Sequence, residues 1–511
     1  MQKISNIKIK PFEDDACLIK KSAKKAGIKE SDVKYFKLIK KSLDARNKND
    51  VFFNCTVEIS NKPYQEVKKA YGKVKAQGEV LVVGAGPAGL FCALDLLRYG
   101  LKVTLIERGK KVEDRENSVT TFFKTKVLDE DCNIQFGEGG AGAFSDGKLN
   151  TGVGGSFASE VIDDFLTFGA PKDIGYLQKP HIGSDKLKGV VKNIREEIIR
   201  LGGRVLFSTK LTDITISNGK VTKVYINGES YAFDEVVLAV GHSAKDVYTM
   251  LFNRSVMMES KDFAVGLRIE HLQKDINFAQ YGSFATVKGM PVADYKLTSH
   301  QNGRGVFTFC MCPGGYVMPS SSEKDTVVVN GMSNYLRNGL NANSAVICQV
   351  GKSDFGGSLF GGVEFQKRLE KTAFELGGGD YKAPAMLVGD YLSGSFSSGF
   401  GKVNPSYQMG VQKADLNKLF SDEINYSIKG AIADMGKKIK GFDDYDAVLT
   451  GVESRTSSPI RVLRGENYAS VSASNLYPCG EGCGYAGGIT SAGADGKKVA
   501  KAIAVKYGLQ I

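Results

Sequence analysis

Residues 79–107, EVLVVGAGPAGLFCALDLLRYGLKVTLIE, decide the fold class. Glu79 to Val83 is a short apolar strand, Gly84-Ala85-Gly86-Pro87-Ala88-Gly89 turns, Pro87 to Arg98 is helical in pattern, and Leu101 to Glu107 makes a second strand. This is a βαβ unit carrying a dinucleotide fingerprint in its required context. Gly84 permits the tight turn, Gly86 lets a pyrophosphate approach the backbone, and Gly89 lets helix and strand pack closely. The free N–H groups at the start of the helix that Pro87 opens, from Ala88 onward, attract the anion. Glu107, 18 residues after Gly89, is placed to accept from adenosine ribose hydroxyls and would repel a 2′-phosphate. FAD or NAD is therefore expected at this turn, rather than NADP.

Outward from this unit, glycine is abundant and clustered. The chain has 60 glycines among 511 residues, eight of them between Gly137 and Gly155 and seven between Gly480 and Gly496. Such clusters mark backbone that something approaches closely. Lys186 to Leu201 reads as a helix, and Arg204 to Leu238 as a β-meander with turns at Asn218-Gly219 and Asn227-Gly228. Helical patterns recur near 364–377 and 411–440, and the C-terminus returns to strand, glycine loop and helix.

The string VVGAGPAGLFCALDLLRYGLKVTLIERG resembles the FAD-binding segment of the large glutathione-reductase-like flavoprotein superfamily. Within it, NIQFGEGGAGAFSDGKLNT, PHIGSDKL, LAVGHSA, GLRIEH, FCMCPGGYV, GVESRTSSP and GEGCGYAGGI are similar to bacterial uncharacterised FAD-dependent dehydrogenases. The resemblance implies an α/β fold with a Rossmann-like FAD-binding domain and β-meander (76–265 and 446–511). It also implies an inserted α+β substrate or cap domain (266–445). Residues 1–75 read as a small ferredoxin-like α/β domain, with Asn61 to Gln77 a linker or solvated helix. By the same resemblance, Arg108, Leu211 and Gly241 join the FAD site. Gly480 and Glu481 take the position of a glycine–acid pair near the ribityl chain, and Gly487, Gly488 and Ile489 lie next to the ring. The implied activity is hydride transfer between flavin and a small organic substrate, with NAD(P)H as a transient donor, since no second complete fingerprint is present.

Residue chemistry supplies further candidates. The loop FGEGGAGAFSDGK is expected to cross the flavin, where Asp146 and Lys148 either touch the cofactor or hold a turn. Arg455 and Arg268 are candidates to polarise a substrate, because a guanidinium is permanently charged and its fork matches carboxylate oxygens. Structural roles compete for both, as does Arg461. His271 is a candidate proton donor, with a satisfied structural histidine as its alternative. The four histidines are dispersed and give no metal-binding spacing. Cys310 and Cys312 share a strand face and open a thiol-based reductase reading, although disulfide reductases carry their pair on the helix after the fingerprint, where only Cys92 stands. Cys479 and Cys483 bracket Gly480-Glu481.

Composition bounds the rest. With 42% apolar and 24% charged residues the chain is globular, and no run of about 18 apolar residues reads as a membrane span. An odd nine cysteines and no leader-like start lead to the expectation of a cytoplasmic, reduced protein without membrane partners. The net charge of +12 is local, because residues 1–75 hold 19 Lys+Arg against nine Asp+Glu. That excess, with Tyr35, Phe36, Phe52 and Phe53, raises an alternative in which the first unit binds RNA or a redox partner. The RNP1 pattern is missing, so a lysine-rich solvated surface is the preferred reading and nucleic acid is not the expected partner. The sequence carries no signal for oligomeric state.

Overall fold

The computed structural model describes residues 1–64, 78–150, 152 and 155–509. Its organising element is a five-stranded parallel sheet in the order Leu476–Pro478, Glu235–Leu238, Glu79–Val83, Lys102–Ile106, Arg204–Leu206. The central strand reads as an unbroken apolar run because both faces are covered. Val80 and Val82 pack under helices Pro87–Arg98, Ser156–Thr167, Ser184–Arg200 and Ile489–Lys506. Leu81 and Val83 face the meander Leu211–Ser217, Lys220–Ile226, Glu229–Tyr231 and helix Lys245–Asn253. Both meander turns have positive φ at each central residue, 51° and 68° at Asn218-Gly219 and 50° and 91° at Asn227-Gly228, the geometry that Asn-Gly tolerates.

Between strands Glu235–Leu238 and Leu476–Pro478 the chain builds a second, mixed sheet. Its path runs Thr298–Gln301, Arg304–Pro319, Asn341–Val350, Phe263–Leu272, Val448–Glu453, Ala383–Leu387, Val411–Lys413, with Val329–Met332 pairing beside Arg304–Pro319. The expected limits of 266 and 445 cut inside Phe263–Leu272 and stop short of Val448–Glu453, because Phe263 and Glu453 both belong to the ladder. The helical reading of 411–440 holds only from Asp422 to Lys438. Val411–Lys413 pairs with Ala383–Leu387, and the Asp415 side chain captures Asn417 N at 3.0 Å, a local turn that competes with helix.

The first unit is a β-α-β-β arrangement with strand order Gln2–Ile9, Phe52–Ser60, Tyr35–Asp44 and one helix, Asp15–Ala26. Phe53 is buried and Phe36 packs against the same small core, so neither is free to stack on a base. Most of the linker reading, residues 65–77, lies outside the described residues. Lys41 docks this unit on the rest by exchanging backbone bonds with Tyr176 and Gln178. Among the described residues, no helix is long and apolar enough to cross a membrane.

Candidate functional site

Glu107 ends its strand beside the glycine turn and is almost fully buried. Its Oε2 accepts from Ala85 N at 2.8 Å, and its Oε1 accepts from Gly109 N at 2.9 Å and Gly137 N at 3.0 Å. A carboxylate has about four acceptor sites, so three are used in holding two loops and one is left toward the cavity that Glu107 lines. Gly89 does not reach that cavity. It sits one turn into the helix, where a Cβ would collide with Gly84 O, which is why the third glycine is needed.

The second glycine stretch is pinned by a residue with no sequence signal. Arg115, on helix Val112–Thr125, is fully buried and donates to Asn133 O (2.9 Å), Ile134 O (2.8 Å), Glu138 O (2.7 Å), Gly140 O (2.8 Å) and Gly137 O (3.2 Å). Burial lowers its pKa to about 10, so it still carries its charge at neutral pH. The loop it shapes crosses the fingerprint, where Gly139 N donates to Ala85 O at 2.8 Å and Gly140 stands against Gly86. Glu138, pushed up to about 7 by burial, is tied to Val112 N and Arg195.

These loops border a cavity of about 480 Å³, within the usual range for ligand sites. Of the expected cofactor residues, Gly84, Gly86, Pro87, Ala88, Glu107, Arg108, Lys148, Leu211, Gly241, Glu481, Gly487, Gly488 and Ile489 line it. Gly480 lies behind the lining, packed on Ala88 and donating its N–H to Asp495 Oδ2 at 2.8 Å. Glu481 faces in, and burial pushes its carboxyl up to about 7. Its ionisable neighbour His242, with Nδ1 at 3.5 Å, is held neutral because burial pushes the imidazole down to about 3. The helices Pro87–Arg98 and Ile489–Lys506 both open at this cavity.

The opposite wall belongs to the second sheet. Strand Arg304–Pro319 gains a residue against Asn341–Val350 between Phe309 and Cys312, and Cys310 adopts a φ of 43° at this bulge. Cys310 is exposed into the cavity, while Cys312 is buried and donates to Cys310 O at 3.2 Å. Burial pushes the Cys310 thiol up to about 12, which opposes the thiolate a disulfide reductase needs. Lys148 Nζ bonds Met311 O and stands 4.0 Å from Cys312 Sγ.

The three catalytic candidates do not converge. Arg455 lines the cavity, but its fork is taken by Glu370 at 2.8 and 2.7 Å and by Ser243 at 3.0 Å. Arg268 lies behind the wall, fully buried, bonded to Glu453 at 3.0 Å and Asn343 at 2.6 Å. His271 is three residues along the same strand and so points to the other face. It bonds Phe442 O through Nε2 at 2.8 Å and borders a separate crevice with Lys402 and Asp444.

Comparison with known proteins follows this division. Residues 78–253 match the family model described as pyridine nucleotide-disulphide oxidoreductase, and residues 262–456 match the one described as FAD-dependent protein, C-terminal domain-like. Residues 1–60 match a domain of unknown function. An uncharacterised protein of Clostridium beijerinckii is 44% identical over 528 residues, covering 99% of each chain. Among solved structures, a flavoprotein/dehydrogenase from Cytophaga hutchinsonii shares 13% identity over 85% of this chain and 80% of that one, with a TM-score of 0.36. Glycine oxidase from Bacillus cereus shares 12% over 84% and 96%, with a TM-score of 0.32. At these scores the solved structures inform neither site nor substrate.

Proposed function

Because the chain belongs to the family of FAD-dependent oxidoreductases that those two adjoining models describe, we propose that it transfers hydride between FAD and a small organic substrate. One observation carries the proposal: a single cavity, open at one side, joins the fingerprint turn to the bulged strand of the second sheet, so cofactor and substrate can meet in one shared space. The residues fit FAD. Glu107 keeps an acceptor site for a ribose hydroxyl, two helix N-termini face a pyrophosphate, and side chains at Gly241 or Gly487 would meet only open space.

Bound FAD supplies two-electron chemistry at its flavin ring. In this reading the backbone from Gly84 to Ala88 and Glu107 hold the adenosine and pyrophosphate, with Arg108 beside them. Glu481 would hydrogen-bond the ribityl region, and Gly487, Gly488 and Ile489 would lie next to the ring. Arg455 does not polarise the substrate, since Glu370 neutralises it; it positions Ser243 at the cavity edge. Burial of the wall excludes water, which protects a transferred hydride. NAD(P)H is the proposed electron donor, docking transiently at the open end.

The test is anaerobic mixing of FAD-loaded protein with NADH or NADPH deuterated at the transferable position. Bleaching of the flavin band near about 450 nm, slowed by deuterium, is the expected result. Protein that dithionite bleaches but neither nucleotide reduces would remove NAD(P)H as donor. Colourless protein that takes up no FAD would remove the whole reading.

A further inference from the structure

Among the cations along the cavity that are not fully exposed, one lacks a carboxylate of its own. Arg108 and Lys210 are matched by Asp131 and Asp246. Lys179 is matched by Asp294 at 2.7 Å. Arg455 and Lys245 are matched by Glu370 and Glu323, and behind the wall Arg268 is matched by Glu453. Each of these sets is neutral, as buried charge normally is. Lys296, also on the lining, sits exposed at the rim.

Asp146 breaks the pattern. Its buried carboxylate is gripped by Arg337, at 2.6 Å to Oδ2 and 3.2 Å to Oδ1, and it also serves Lys148 at 3.5 Å. His181 beside it is held neutral by burial, so the cluster carries two cations and one anion. Arg337 has the better geometry with the carboxylate, and the surplus charge therefore resides on Lys148, whose side chain is 27% exposed. Burial works against that charge, yet Asp146 keeps the ammonium above its ordinary pKa. Its three donors go to Met311 O, toward Asp146 at 3.5 Å and toward Cys312 Sγ at 4.0 Å, and the last two contacts are long enough for a ligand oxygen to take their place. Cys310 opens the same wall as a neutral thiol.

We infer that Lys148 is a substrate-anchoring residue and that the cavity takes a small organic acid, its carboxylate on the Lys148 ammonium beside the Cys310 thiol. This assigns to substrate a residue whose sequence position suggested cofactor contact. It rests on the FAD-dependent reading above and gives that reading a substrate class. A neutral substrate would leave the cluster with an uncompensated, partly buried charge, whereas a carboxylate completes it.

The experiment titrates FAD-loaded protein with benzoate and with benzamide, its neutral counterpart, following the flavin absorption spectrum. Benzoate is expected to perturb the spectrum saturably and to bind about tenfold or more tighter than benzamide. Lys148→Met should weaken benzoate by at least about tenfold while FAD content stays unchanged, and Lys148→Arg should restore most of the loss. Equal binding of the two probes by the unmodified protein overturns the inference without any variant. So does a Lys148→Met protein that binds benzoate as before, or an FAD-loaded protein whose spectrum answers neither probe. Those outcomes leave the flavoenzyme reading standing, whereas protein that refuses FAD removes the reading and the inference together.

Discussion

Replacing Arg115 with Met should cost both stability and FAD. The guanidinium donates to four loop carbonyls at 2.9 Å or less and to a fifth at 3.2 Å, with no water-exposed surface. Met fills much of the volume but donates nothing, so those carbonyls lose their partner in a buried setting, at about 1–3 kcal/mol each. Relief of the cost of burying a cation offsets part of this, and the net loss is about 3–5 kcal/mol, as for other broken buried charge contacts. The loop then no longer brings Gly137 N to Glu107 or Gly140 to Gly86. If about 2 kcal/mol of the loss is recovered only when the loop re-forms around cofactor, the FAD Kd rises about 30-fold. Thermal melts with and without added FAD, together with titration of apo-protein by FAD fluorescence, read both quantities. Arg115→Lys keeps the charge with only three donors and should fall between the two. An Arg115→Met protein with unchanged melting temperature and full FAD affinity would refute the reasoning.

Gly89→Ala should abolish FAD retention or folding, since its Cβ would overlap Gly84 O, whereas Gly241→Ala, which meets open space but has a φ of 74°, should cost about 1 kcal/mol in strain and keep the cofactor; bound flavin per protein separates them. Glu481, raised from the ordinary 4.5 to about 7, favours the folded apo-protein most below pH 4.5 and loses that contribution as pH rises to about 7. The apo-protein should therefore melt lower as pH rises across this window, by about 1–3 kcal/mol, and Glu481→Gln should flatten that slope. Cys310 should react with iodoacetamide at pH 8 more slowly than a free thiol by about tenfold or more, with FAD giving further protection; labelling as fast as a free thiol, mapped by peptide mass, would contradict its raised pKa.

What the sequence discloses follows from how local each requirement is. The fingerprint is legible because each glycine answers a backbone demand within a few residues, and Glu107 follows at a fixed spacing. The meander is legible because Asn-Gly turns are paired with positive φ. Arg115 is silent, since its partners are carbonyls, which every residue has. The Asp146–Arg337 pair is equally hidden, as 191 residues separate its members. That Arg268 and His271 do not open on one site was legible as well: residues three apart on a strand face opposite sides. The helix expected from 411 overlooked how Asp415 competes for backbone N–H groups.

The two sheets divide the labour. The residues proposed to hold the cofactor come largely from strand ends, turns and helix starts of the parallel unit, where dipoles and bare N–H groups suit a pyrophosphate. The second sheet contributes a wall of side chains, and its internal ions are neutralised in pairs before they reach the cavity. A neutral wall would suffice to keep water out. Retaining one surplus ammonium against that wall costs desolvation energy, since Arg337 already matches Asp146 and the Lys148 bond to Met311 O needs only a donor. The surplus is therefore better explained by what enters the cavity than by what builds it. For the same reason, substitutions at the Cys310 bulge and at Lys148 should change which substrate is accepted while leaving FAD binding intact. Substitutions at Glu107 or Gly86 should remove both, and measuring FAD content beside benzoate affinity across these four positions distinguishes the two roles.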